Sequence, residues 1–152
     1  MKKLYSLELD KKRIGYTEFE YADTPMGVVH GRIIFEEIES PYELFKNHCV
    51  MYNVQMNMND LDERLIDTVV IPQLKVYLNN GEELKGWGGA ITGMDSDDFE
   101  IQFGGISSEL MRSEFEKKKE NIEISDSWAS MVIFFNSLTL FSSSLSVSAK
   151  KS

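Results

Sequence analysis

Hydrophobic and polar positions alternate from the start of the chain. Leu4, Tyr5, Leu7 and Leu9 are interleaved with Ser6 and Glu8, and Asp10-Lys11-Lys12 follows as a turn. Alternation resumes from Arg13 to Tyr21, with Thr17, Phe19 and Tyr21 on one face and Glu18 and Glu20 on the other. A period of two predicts half-buried strands, so this stretch reads as a β-hairpin. After Pro25 and Gly27, the β-branched run Val28 to Phe35 reads as a third strand.

The pattern then changes period. Ser40-Pro41-Tyr42-Glu43 carries an N-cap serine, a proline at the first helical position and a glutamate three residues after the cap. Leu44, Phe45, His48, Cys49 and Tyr52 recur at three- and four-residue spacing, which predicts a helix from Pro41 to about Asn53. Met51, Met56 and Met58, in or after its last turn, read as adaptable core filler. The next segment, Asn59 to Val70, fits either a short helix capped by Asn59 or an acidic loop.

Beyond Pro72, Leu74 to Leu78 alternates, Asn79-Asn80-Gly81 supplies a hairpin turn, and Glu82 to Trp87 is read as the returning strand. Phe99 to Phe103 alternates again, and a helix is expected from Ser107 or Ser108 down to Lys119. These elements define an α+β fold: a mainly antiparallel sheet of about five to seven strands with two helices packed against it. The expected domain is 1–126. From Ser127 to Ala149 the chain carries no charge, but serines interrupt the apolar run and weaken a membrane-anchor reading. Packing or partial disorder is the expectation for 127–152.

Charge is unevenly spread. The net charge is −9. Residues 1–13 contribute +3 and 117–152 contribute +2, which leaves −14 on 14–116. So acidic a body repels phosphate backbones, which argues against nucleic-acid binding, and it attracts a basic partner. Charge serving solubility alone gives the same composition. A single cysteine, Cys49, excludes an intramolecular disulfide and suits a reducing compartment. The N-terminus begins with lysines as a signal peptide does, but Glu8 and Asp10 interrupt any apolar core, so a cytoplasmic location is expected.

Motifs for catalysis are sparse. His48 and Cys49 are adjacent, so on a helix they point about 100° apart and do not pair as base and nucleophile. His30 with Cys49, or His30 with a carboxylate such as Asp23, remain the enzyme alternatives. No phosphate loop, paired-cysteine zinc motif or nucleophile elbow occurs. Asp95-Ser96-Asp97-Asp98 lacks the glycine and glutamate of a calcium loop and reads as a solvated turn. Gly86-Trp87-Gly88-Gly89 marks a bulge or a place where Trp87 meets bare backbone. No catalytic residue, metal ligand or cofactor is assigned.

Ile14 to Glu20, then Asp23-Thr24-Pro25-Met26-Gly27-Val28 and Gly31-Arg32, resembles a family of small uncharacterised bacterial proteins with an Asp-Pro-Pro-Met-Gly-Val motif. The glycines at Gly88-Gly89 and the pairs Glu100-Ile101 and Gly105-Ile106 extend the likeness over roughly residues 1–116. Thr24 departs from its proline pair. The resemblance implies a bacterial source and an α+β fold, and supplies no catalytic residues. By analogy with small acidic bacterial proteins, it implies an immunity partner of a secreted toxin.

The expected function is therefore an acidic intracellular binding protein that neutralises a basic toxin by protein–protein contact. Its candidate surface is acidic, Glu36, Glu37 and Glu39 on one side of the first helix and Asp60, Asp62 and Glu63 on the other. Both groups are also what solvated helix ends carry. Tyr42, Tyr52 and Trp87 are the candidate aromatic anchors. A small enzyme built on His30 and a structural or assembly subunit are the alternatives.

Overall fold

The computed structural model describes residues 3–116 and the backbone of Lys119 and Glu120. The chain divides into two units, Met1–Ile122 and Glu123–Ser152. The fold below is that of the first, and the serine-rich segment 127–152 lies outside the described residues.

The first hairpin forms as its alternation predicts. β1 (Tyr5–Leu9) pairs antiparallel with β2 (Lys12–Thr17), and Asp10 and Lys11 both take left-handed backbone angles, φ 52° and 70°. Two such residues give a turn whose twist matches that of the strands it joins. The expected single strand from Arg13 to Tyr21 is broken at Phe19, which is left-handed at φ 46°. Thr17 Oγ1 accepts the Phe19 N–H at 3.2 Å and closes that kink. Phe19 turns into the core, while Tyr21 starts β3 (Tyr21–Asp23) partly exposed, off the face predicted for it.

β4 (Val28–Phe35) is the central strand, with the bounds expected of it. Its last residues pair with β2, its first pair with β3, and its other edge pairs with β9 (Phe99–Gly104). Where the chain crosses from β2 to β3 it runs against Gly31, and a Cβ there would stand 2.8 Å from Phe19 Cα. Only a bare backbone admits that crossing.

Asn59 to Val70 is neither helix nor loop. It belongs to a hairpin of β5 (Met56–Asp60) and β6 (Leu65–Thr68). The reason is turn chemistry: Asp60 Oδ1 accepts the N–H groups of Asp62 and Glu63 at 3.0 and 3.1 Å, and Arg64 is left-handed at φ 53°. β7 (Leu74–Tyr77) pairs with β1. Gly81, at φ 90°, makes the expected turn. The returning stretch is short, held by Leu84 N–H on the Val76 carbonyl and a bridge between Tyr77 and Glu83. The glycine cluster then opens a strand that periodicity did not reveal, β8 (Gly88–Met94), set between β6 and β9. A last short strand, β10 (Lys119–Glu120), pairs parallel with β3.

The described residues thus form ten strands, more than expected, in the order β5-β6-β8-β9-β4-β2-β1-β7, with β3 paired to β4 off this path and β10 paired to β3. Both helices occur. α1 (Pro41–Tyr52) is capped by Ser40, whose hydroxyl accepts the Glu43 N–H, and ends at left-handed Asn53. α2 (Ser108–Phe115) is capped by Ser107 and stops before Lys119. They pack on one face of the sheet. Phe45 of α1 meets Phe35 and Phe99 at 6.1 and 5.9 Å, and Phe115 of α2 meets Tyr5 and Phe19 at 5.5 and 6.1 Å between ring centres. Val29, Ile33, Ile91 and Ile101 complete that core. The fold is α+β, mainly antiparallel, as expected.

Candidate functional site

The acidic groups predicted to flank α1 gather at one end of it. The segment after β4 and the β5–β6 turn meet at the helix N-terminus, around an open surface depression of about 600 Å³. Glu37, Glu39, Glu43 and Asp95 line it with Ile38 and Leu44. Arg64, the only lining cation, extends from the turn that holds Asp60, Asp62 and Glu63. Its Nε donates to Asp95 Oδ2 at 2.8 Å, one terminal nitrogen donates to Ser40 Oγ at 2.8 Å, and the other lies 3.3 Å from Glu43 Oε1.

Asp95 is the organising residue of this depression. Oδ2 also accepts the Ser40 hydroxyl at 2.6 Å, and Oδ1 accepts the Tyr42 backbone N–H at 2.8 Å. The carboxylate therefore closes the first turn of α1 from outside the helix, where backbone N–H groups lack helical partners. Burial pushes its pKa up, but the bonds from Ser40, the Tyr42 N–H and Arg64 together outweigh it and hold the carboxyl below the usual range. The predicted solvated turn at Asp95–Asp98 is a turn between strands, but its first residue is structural.

The predicted site residues separate into groups. Glu37 and Glu39 line the depression. Glu36 does not; it accepts from Arg13 Nε at 2.8 Å. Asp60 is occupied in its own turn, while Asp62 and Glu63 are exposed beside Arg64. Tyr42 is a correction. Its ring is buried beneath Arg64, with the hydroxyl donating to Asn59 Oδ1, so it anchors α1 to β5 and offers no surface to a partner.

Tyr52 lies at the other end of α1, about 15 Å along the axis. Its hydroxyl donates to Asp10 Oδ2 at 2.6 Å. Trp87 precedes β8 while Asp95 follows it, which separates them by roughly 25 Å of strand. Trp87 is 45% exposed and lies over Gly105, the bare-backbone contact expected of the glycine cluster.

Met51 and Met58 are also corrected: they are 75% and 52% exposed, not core filler. Leu61, at the tip of the β5–β6 turn, is 64% exposed. These apolar side chains and Asp95 are what the sequence reading missed. On the helix Met51 lies about 200° round from buried Cys49, so the periodicity itself carried the signal for its exposure, whereas no local signal ties Asp95 to Ser40.

The histidines are placed away from the depression. His30 is largely buried and stacked on Tyr21 at 4.7 Å between ring centres, while Asp23 Oδ1 accepts the Met26 N–H. His48 Nε2 shares a hydrogen bond with Gln73 Oε1 at 2.9 Å and its ring stacks on Tyr52. Cys49 is buried, and burial pushes its thiol up to about 11, opposite to what an attacking thiolate needs. Among the described residues no group of His, Cys, Asp and Glu is arranged to hold a metal ion, and no helix is long and apolar enough to cross a membrane.

No family model, curated protein or solved structure matches this chain.

Proposed function

We propose that this protein is an acidic binding module of the immunity type, which covers the working surface of a basic partner, such as a nuclease-like toxin, by protein–protein contact. The observation that carries the reading is the depression at the N-terminus of α1. Glu37, Glu39, Glu43 and Asp95 converge there, and the one cation among the lining residues is bonded within the site, to Asp95 and Ser40. Asp62 and Glu63 extend the acidic surface along the neighbouring turn. Such a field accelerates encounter with a basic surface and selects against acidic ones. The exposed Leu61 provides apolar contact beside it.

The test is affinity capture from the native host at low and high salt. A basic protein should be retained at low ionic strength and released as salt rises. Glu37→Lys with Glu39→Lys should abolish retention while thermal stability holds. Retention that ignores both salt and charge reversal would refute the proposal. A toxin gene beside this one would identify the partner to try first.

A further inference from the structure

Among the described residues, β5 is a strand at the end of the sheet whose outer side is unpaired. β7 is flanked by the returning 82–84 stretch, and β3 is flanked by β10. β5, Met-Asn-Met-Asn-Asp, pairs only with β6 among the described residues, and residues 57–60 are exposed. It is short, bulged and ends on Asp60, but carries neither lysine nor proline, so its only charge is one that a basic segment would complement. The bulge between Met56 and Met58 leaves Met58–Asp60 regularly paired on the inner side and unpaired on the outer.

Two further observations bear on what would fit there. Met58 faces Asp67 across the β5–β6 ladder, on the side of the sheet away from α1. Asp67 Oδ1 is buried with no hydrogen-bond partner, an uncompensated acceptor next to the edge strand. At the strand's end stands the exposed acidic turn of Asp62 and Glu63. Arg64, the nearest cation in sequence, is bonded to Asp95 and Ser40.

We infer that β5 is a strand-addition site for an extended basic segment of a partner protein, whose backbone pairs with Met58–Asp60 and whose lysine or arginine side chains reach Asp67 and the Asp62–Glu63 turn. An added strand lies about 4.8 Å beyond β5, roughly 10 Å from β6. A lysine or arginine beside Met58 spans that gap to the Asp67 carboxyl. Backbone pairing gives affinity in this mode, and alternate side chains give selectivity. Met58, unbranched and polarizable, adapts to the apolar side chains between the basic ones. This inference rests on the proposed acidic binding function and names the element through which it acts.

The experiment uses the full chain and three blocked peptides: one alternating lysine and valine, one alternating glutamate and valine, and the lysine peptide with a central proline. Amide chemical shifts are followed by NMR up to about 1 mM peptide. The lysine peptide should move and protect the amides of Met56–Asp60. The glutamate and proline peptides should not, and Asp67→Asn should weaken lysine-peptide binding about fivefold to tenfold. Perturbation centred elsewhere, equal binding by the proline peptide, or no binding by the lysine peptide overturns the inference. If the β5 amides stay still while charge reversal at Glu37 and Glu39 abolishes capture of a basic protein, the edge proposal falls and the function stands. If the lysine peptide pairs with β5 but no basic protein is captured, the reverse holds.

Discussion

Arg64 and Asp95 hold each other twice. The Asp95 backbone N–H donates to the Arg64 carbonyl at 3.2 Å, and Arg64 Nε returns a bond to Asp95 Oδ2 at 2.8 Å. The pair joins the β5–β6 turn to the β8–β9 turn, and through Ser40 and the Tyr42 N–H it fixes the start of α1 to both. Three loops separated in sequence thus present their acidic residues on one surface.

Asp95→Ala should destabilise the protein by about 2 kcal/mol in urea denaturation, because it strips partners from Ser40, the Tyr42 N–H and Arg64 together. Arg64→Lys keeps the charge but loses the planar fork, and should cost about half as much. The Asp95 carboxyl has a lowered pKa in the folded state. Its contribution is therefore complete above the ordinary value of 3.8 and is lost as pH falls through the folded one. The difference between wild type and Asp95→Ala should shrink in denaturation series taken below about pH 4. A difference unchanged down to pH 2 would remove the carboxylate from this role.

How much of this was legible in the sequence follows from the range of each interaction. Ser40 with Pro41 announces α1, because a cap acts within one turn, and the Asp10 and Gly81 turns are equally local. The β5–β6 hairpin was hidden because Asp60 makes its turn through a side chain, and the alternating Met-Asn-Met-Asn is only four residues long and reads as filler after the helix. Tyr42 looked like a surface anchor because a tyrosine in a first helical turn is commonly exposed. What buries it is Arg64, twenty-two positions later, stacked over its ring. Of the acidic residues that line the depression, Glu37 and Glu39 were among the candidates, while Glu43 and Asp95 were not. Asp95, which assembles it, bonds to Ser40 across 55 positions.

Gly105→Ala tests the seat of Trp87. Gly105 is left-handed at φ 73°, and an added Cβ would stand 2.6 Å from Trp87 Cδ1. Backbone strain and the displaced indole together should cost about 2–4 kcal/mol. The native fluorescence emission of the tryptophan at 87 should shift red, read in a Trp128→Phe background. Unchanged stability and emission would mean that the ring does not rest on this glycine.

Cys49 should behave as a core residue. The thiol is buried and its pKa is raised to about 11 by desolvation. At pH 8 almost none of it is thiolate, and Ellman's reagent should react only after denaturant unfolds the protein. Stoichiometric reaction of the native protein within minutes would reopen a nucleophilic role for this residue.

Asp67 gives the pH dependence of opposite sign. Burial raises its carboxyl to about 6 from the ordinary 3.8. An acid whose folded pKa lies above its unfolded pKa binds more protons when folded, so stability falls as pH rises between those two values. Asp67→Asn removes the charge and keeps the shape. It should leave stability near pH 4 almost unchanged and raise it at pH 7.5 by about 1 kcal/mol, a figure reduced for solvent screening at a half-buried site. Denaturant midpoints for both proteins at the two pH values decide the matter. A variant that loses stability at pH 7.5 would show that the ionised carboxylate is compensated, and the orphan acceptor beside β5 would no longer call for a cation.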